Sequence, residues 1–519
     1  MIEKYYSGVI EQIYNRIGKE TRNIVMANYS NDFSIENLEV IRRYQSNEDN
    51  VFFAYSEFSY NTLVGAYEPF LDIICNMHRR FIGGSFDDFQ KECGVYYLHR
   101  QVLNSYYETG ECFREETVLL NEVAYEQRRM TMAIADMLKR LSEVRPLMIV
   151  INRFQMASKS SIETIKYLID NPCANIGIVL GVNAIVKGTD STVEVWDRIV
   201  ESLEDRSAIY YIGSAGPLKN NVKTTNDDEL YITMNFEQSI QEASNIMEFL
   251  DFEQARRGCR IIEHKLKFED AWIDEKSLRR FYMVYARTSV LLGEMSKAIE
   301  LTNEYKALIP ENDSEHYLSL YYFMKGTCYM YQGKLEKAGN SAKSAYDYAV
   351  LAEDDTLIFK AELLSVMIKM SGWYNIFFCV QDIPVSDEII EKLIKHGYRN
   401  HLAHIYIYAY DNSRDVVKQS FYDESLLKHF TKGLELAKEI GNEQLVYDAY
   451  QKTIMLASTS GLNEIAFLYV IRTYEFMKGH GNIYVARVLT SIGYNLSAMG
   501  KNELVDDYYN AAINMFYYL

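Results

Sequence analysis

The sequence predicts a parallel α/β domain followed by an all-α superhelix of stacked helical hairpins. Three observations carry that expectation. In the first half, short apolar runs without polar interruption alternate with helical stretches, the pattern of strands buried on both faces. The second half is helix after helix at 3.6-residue spacing. Within it, small residues and turn glycines return at intervals near 40 residues, the mark of a repeat architecture.

Composition supports both halves. Of 519 residues, 48% are hydrophobic and 24% charged, enough for a real core and unlike a disordered chain. Proline is scarce at 6 residues, where roughly 5% of a chain is usual, so long helices with short connections are expected. The net charge of −18 repels phosphate backbones and anionic lipid over most of the surface. No run of Lys/Arg exceeds a pair, so neither nucleic acid nor membrane is an expected partner. The start, "MIEKYYSGVIEQIY", lacks the apolar core of a signal peptide. The longest apolar run, "IGIVLGV", falls far short of the ~20 residues of a membrane span. Seven cysteines (75, 93, 112, 173, 259, 328 and 379) include no CxxC pair and read as reduced thiols. The expectation is a cytoplasmic protein with no metal and no cofactor.

Taken in order, residues 2–17 place Ile2, Tyr5, Tyr6, Val9, Ile10, Ile13, Tyr14 and Ile17 at the spacing of an amphipathic helix, so 1–45 reads as an N-terminal helical segment. An α/β domain over 46–235 follows. Its strand candidates are "NVFFAYSEF" from Asn50, "LMIVIN" from Leu147, "IGIVLGV" from Ile176 and "AIYYIG" from Ala208, with helical zones near 60–82 and 118–143. From Phe236 to 519 the pattern is helical throughout.

The repeat is legible at fixed offsets. Ala286, Gly293, Ala298 and Tyr305 stand at the same offsets as Gly326, Gly333, Ala338 and Ala345, and again as Gly493, Gly500, Val505 and Ala512; Pro310 follows in the first copy, and Tyr329 and Leu496 share a further mark in the other two. Small residues let two antiparallel helices approach closely, and a glycine closes the turn between them. Turn glycines are expected at 293, 333, 372, 461 and 500, with steps of 40, 39 and 39 between adjacent ones and an 89-residue gap after 372. That gap has room for an irregular hairpin with insertions around "VQDIPVSDE" or "YDNSRDVVKQSFYDE". This spacing resembles tetratricopeptide repeats in a stretched form, whose concave face implies a protein or peptide partner.

"LMIVINRFQMASKSSIETIKYLI" (147–169), with "NIGIVLGVNAI" and "YIGSAGPLK" after it, resembles the ATPase core of bacterial signal-transduction ATPases with numerous domains. In that family a P-loop module precedes a tetratricopeptide-like superhelix. The resemblance implies a P-loop NTPase-like α/β domain joined to an all-α tetratricopeptide-like superhelical repeat domain. It also implies an output domain, such as a GGDEF diguanylate cyclase or a helix-turn-helix, and no GGDEF stretch occurs here.

The departures make the α/β domain a degenerate one. A phosphate-binding loop needs G-x-x-x-x-G-K-[ST] after its first strand. After "NVFFAY" the chain reads "SEFSYNTLVGAY", without lysine or a glycine pair. Gly18-Lys19, read as part of the first helix, Gly333-Lys334 and Gly500-Lys501 are not followed by Ser or Thr, and "IGGSFDD" lacks lysine. Where the family places its two acids, this sequence has Asn152 and Arg153. Asparagine brings no charge to a divalent cation, and arginine stays protonated and cannot serve as a base. No catalytic residue is therefore assigned. Arg153 as a bare anion ligand, and Asn183 at the family's sensor position, are weaker alternatives to an ordinary strand-end pair and a polar strand terminus.

Other constellations are weaker still. His396, His401 and His404 lie close in sequence, but packed histidines explain them more simply than a metal. "NDDE" (226–229) and "EDD" (353–355) read as solvated loop and helix-start acids. The end, "AAINMFYYL", carries an apolar face where a superhelix usually has a polar capping helix, so a homodimer through the C-terminal repeat is one expectation. The sequence thus predicts a non-catalytic intracellular regulator that binds protein partners through its repeats. The alternatives are the sensory half of a diguanylate cyclase or transcription regulator, and a nucleotide-binding switch with an atypical site.

Overall fold

The computed structural model describes residues 2–29, 38–46, 50–59, 63–114, 116, 118–183, 193–212, 235–268, 273–312, 314–375, 387–409, 424–478 and 482–517. The chain divides into two compact units, Met1–Leu308 and Ile309–Leu519.

The first unit is built on a five-stranded parallel sheet in the order β2-β3-β4-β1-β5. The strands are β1 (Ile24–Tyr29), β2 (Phe52–Glu57), β3 (Leu147–Asn152), β4 (Ile176–Asn183) and β5 (Ile209–Ile212). Four occupy the expected apolar runs. β1 corrects the reading of 1–45 as a helical segment: it lies between β4 and β5 and is buried along nearly its whole length. Its run is short and interrupted by Asn28, itself fully buried, which hid the strand from a pattern of unbroken apolar residues.

Among the helices of the sheet region are α1 (Ile2–Arg16), α2 (Glu39–Ser46), α3 (Phe70–Met77), α4 (Phe86–Glu92), α5 (Tyr97–Thr109), α6 (Val123–Val144), α7 (Lys159–Asp170) and α8 (Val193–Glu204). Helix α1 ends before Gly18, whose φ of 77° turns the chain out of the helix rather than continuing it. The buried face of α1, with Tyr6, Val9, Ile10 and Ile13, packs with Val25, Ala27 and Tyr29 of β1 and Val179 of β4. Two glycines of β4 permit this approach. A Cβ on Gly177 would sit 2.9 Å from the Ile17 side chain, and one on Gly181 would strike the Tyr6 hydroxyl.

Four more helices of this unit lie among the described residues: α9 (Phe236–Glu248), α10 (Phe252–Phe268), α11 (Glu275–Leu291) and α12 (Met295–Ala307). Asn235 and Gln238 form a capping box at the start of α9, satisfying backbone donors at both residues. The buried Asp251 accepts from the Ser160 backbone N–H at the start of α7 at 3.0 Å, and Gln254 donates to the Val64 carbonyl at 2.9 Å. Helices after the last strand are thereby tied to the sheet region.

Among the described residues the second unit is helical. It comprises α13 (Ser314–Tyr331), α14 (Leu335–Leu351), α15 (Asp355–Asn375), α16 (Asp387–His396), α17 (Arg399–His404), α18 (Glu424–Ile440), α19 (Glu443–Thr459), α20 (Asn463–Met477), α21 (Asn482–Ala498) and α22 (Val505–Tyr517). Hairpin turns close at Gly333, Gly461 and Gly500, as at Gly293 in the first unit, all with φ between 71° and 77°. The small marks do what their spacing predicts. Ala338, Ala342, Ala345 and Ala349 are fully buried, and a Cβ on Gly326 would meet Leu364 at 3.0 Å and the Ala338 carbonyl at 3.4 Å.

Gly372 corrects the predicted register, because it lies inside α15 and closes no turn. The turn before α15 is made by Glu353, a non-glycine residue at φ 51°, and Asp354 caps the helix by accepting from the N–H groups of Thr356 and Leu357. Later turns use Gly397 and Gly441. The insertion segments "VQDIPVSDE" and "YDNSRDVVKQSFYDE" lie largely outside the described residues, as do "NDDE" and Cys379.

Candidate functional site

In an open parallel sheet, ligands bind beyond the carboxyl ends of the strands where neighbouring connections diverge. Here that point lies between β1 and β4: the chain leaves β1 for β2 at one edge and leaves β4 for β5 at the other. The segment to compare with a phosphate-binding loop is therefore the one after β1, not the one after "NVFFAY". It reads "SNDFSIEN" (30–37), holds neither glycine nor lysine, and lies outside the described residues.

At this edge the end of β3 delivers Asn152 and Arg153. Asn152 is fully buried, and its Oδ1 accepts from the Tyr29 hydroxyl of β1 at 2.6 Å. The rings of Tyr6 and Tyr29 meet edge to face at 6.3 Å. Burial first, then the negative field of Tyr29, Tyr55 and Glu57, pushes the Tyr6 phenol well above its ordinary value, so it stays neutral. Arg153 adopts a left-handed backbone, φ 54° and ψ 40°. Its guanidinium pairs with Glu57 at 3.1 Å and donates to the Phe58 carbonyl at 3.3 Å. Asn183 ends β4 almost fully buried, its N–H donating to the Gln155 Oε1 at 3.3 Å. The edge thus presents phenols, amides and an arginine already engaged by a carboxylate.

A cavity of about 190 Å³ opens at the opposite end of the sheet, where α1, α7 and α8 all finish. Arg16, Arg22 and Arg206 line it, and Arg206 donates to the Ile169 carbonyl at 2.5 Å. Arginines there complement the negative ends of helices.

In the repeat unit, the first helices of successive hairpins meet through polar side chains. Gln451 on α19 and Ser491 on α21 stand 40 residues apart, the repeat interval, and the Ser491 hydroxyl lies 3.5 Å from the Gln451 Oε1. The Gln451 Nε2 is buried and has no hydrogen-bond partner among the described residues. One and two turns away on the same helix, Gln444 donates to Asp448 at 2.9 Å. The only forewarning of this stripe was the repeat interval itself. Elsewhere, large apolar side chains are exposed on the last two helices: Tyr494 at 61%, Ile513 at 52% and Tyr517 at 86%.

The histidines are not brought together as ligands. His396 stacks on Phe359 at 4.7 Å, while His401 and His404 are buried and face Tyr398 and Tyr408. Among the described residues no group of three His, Cys, Asp or Glu has the geometry to hold a metal, and no helix is long and apolar enough to cross a membrane.

No family model matches the sequence, and no curated protein matches it either. Solved structures similar to the chain include a Rap protein complexed with competence and sporulation factor, at 15% identity and TM-score 0.37, covering 54% of this chain and 76% of that one. NprR in complex with its cognate peptide NprX is 13% identical with TM-score 0.32, covering 55% and 79%. A signal-transduction ATPase with numerous domains and a tetratricopeptide repeat sensor, from Pyrococcus horikoshii, is 12% identical with TM-score 0.28, covering 98% of this chain and 82% of that one. TM-scores this low leave the chain's own geometry to carry its interpretation.

Proposed function

We propose that the chain is a non-catalytic intracellular regulatory protein that binds an extended protein or peptide segment on its helical repeats. The sheet unit serves as a structural or allosteric module of degenerate P-loop type. The observation that carries this reading is the buried Nε2 of Gln451, without a partner among the described residues, in the polar stripe that α19 shares with α21. An unpaired buried donor costs about 1–3 kcal/mol, and a peptide carbonyl crossing the stripe removes that cost. Against hydrolysis stand the sequence "SNDFSIEN" after β1, the uncharged Asn152, and the Arg153–Glu57 pair. Together they lack the loop lysine and the acid pair at the end of β3 that phosphoryl transfer of this type uses.

The test has two arms. Peptides selected from a random library against the full chain should bind roughly tenfold more weakly to Gln451→Leu. Equal binding would remove the repeat stripe as the site. Calorimetric titration with ATP or GTP and magnesium should give no heat, and saturable micromolar binding would reinstate the sheet unit as a nucleotide switch.

The exposed Tyr494, Ile513 and Tyr517 favour a second role for α21 and α22, a contact between two copies of the chain. Light scattering at tens of micromolar protein should report a dimer that Tyr494→Ser dissociates. A monomer removes this role and leaves the peptide reading intact.

A further inference from the structure

Strand β2 is the outermost strand of the sheet order on its side. The N–H of Phe52 donates to the Pro146 carbonyl at 2.8 Å and that of Phe58 to the Asn152 carbonyl at 3.2 Å. In a parallel ladder successive residues alternate in the direction of their backbone groups, so Phe53 directs its N–H and C=O away from β3. A cavity of about 320 Å³ lies along this side, touching five consecutive residues of β2 from Phe52 to Ser56. Five residues in a row include both faces of a strand, so the cavity runs along its edge, and it also reaches Gln45 of α2 and, over one face of the sheet, Ile149 of β3. The far wall is the turn into α3 and one side of that helix, with Glu68, Asp72 and Asn76 lining it. No Lys, Arg or His lines the cavity.

We propose that this groove accepts an extended segment of a partner protein as a sixth strand beside β2, with a lysine or arginine of that segment reaching Glu68 and Asp72. Edge-strand addition supplies affinity through the main chain and selectivity through alternate side chains. The charge of the wall decides which side chains those are. Glu242 stands behind Glu68, and both carboxylates crowd Gly65: a Cβ there would lie 3.0 Å from one and 3.4 Å from the other. Burial, then Glu68 and Asp72, pushes Glu242 up to about 7, and burial pushes Glu68 up as well. A cationic side chain entering the groove relieves this repulsion, whereas an acidic one adds to it. The surface is separate from the repeat stripe and does not depend on it.

The experiment uses the full chain and two capped pentapeptides, one alternating valine with lysine and the other valine with glutamate, read by fluorescence polarisation. The lysine peptide should bind, and the glutamate peptide should bind at least about tenfold more weakly. Asp72→Asn keeps the acceptor for the Tyr106 hydroxyl and should weaken the lysine peptide by roughly tenfold. Methylating a backbone nitrogen of that peptide should abolish binding, and hydrogen exchange over 52–57 should slow on complex formation. Equal affinity of the two peptides, indifference to backbone methylation, or binding lost with Gln451→Leu and kept with Asp72→Asn would each overturn the proposal.

Discussion

Replacing Gly181 by alanine tests how α1 is seated on the sheet. The added Cβ would overlap the Tyr6 hydroxyl, lie 2.8 Å from the Asn152 Oδ1 and 3.3 Å from the Tyr6 ring carbon that bears the oxygen. Tyr6 is fully buried and cannot swing into solvent, so the helix, the ring or the Asn152–Tyr29 hydrogen bond must give. Overpacking of this kind costs about 2 kcal/mol. Hydrogen exchange of 176–183 in β4 should then quicken about thirtyfold. Tyr6→Phe removes the nearest obstacle, so the two substitutions together should cost at least about 1 kcal/mol less than their sum. Exchange within about threefold of the parent, or an additive pair, would refute the claim that Gly181 is required by the approach of Tyr6.

Three further outcomes follow from the geometry. Gly333 sits at φ 71° with open space around its missing Cβ, so Gly333→Ala should cost about 1 kcal/mol from backbone strain alone; Gly333→Asn should recover part of it in thermal melts. Ala345 is fully buried and its carbonyl accepts from the Ser319 hydroxyl at 2.9 Å, so Ala345→Leu should destabilise the α13–α14 hairpin by about 1–3 kcal/mol, seen as faster exchange in both helices. Glu242 is held protonated when folded up to about 7, above its ordinary value of 4.5. The folded state therefore binds more protons between those values, and its contribution to stability falls as pH rises through that window. Glu242→Gln should accordingly stabilise the chain by about 2 kcal/mol at pH 8 and by little at pH 4, as measured by denaturant titration.

Much of the fold was legible because burial leaves a periodic trace. β3 and β4 are buried at every residue, and both appeared as unbroken apolar runs. The hairpin marks were legible because helix approach demands small side chains, as the buried alanines of α14 show. Gly372 was misread for a related reason: glycine signals a turn only where φ is positive, and a helix interior also tolerates it. Glu353 makes a left-handed turn that composition does not advertise. Asn152 and Arg153 were singled out correctly as the residues at the strand end, and their partners Tyr29 and Glu57 were not, since each lies on another strand.

What the sequence determined by itself was local: where strands and helices form, which residues carry charge, and which motifs are absent. The central place of β1 belongs to the tertiary structure alone. A strand's position depends on which neighbours its edges meet, and β1 bonds to β4 and β5, more than 140 residues away. Only that placement identifies "SNDFSIEN" as the sequence that follows a central strand of the sheet. It also brings Tyr29 to Asn152 and leaves β2 beside an acidic groove, because contacts across the sheet are made by residues with no proximity in the chain.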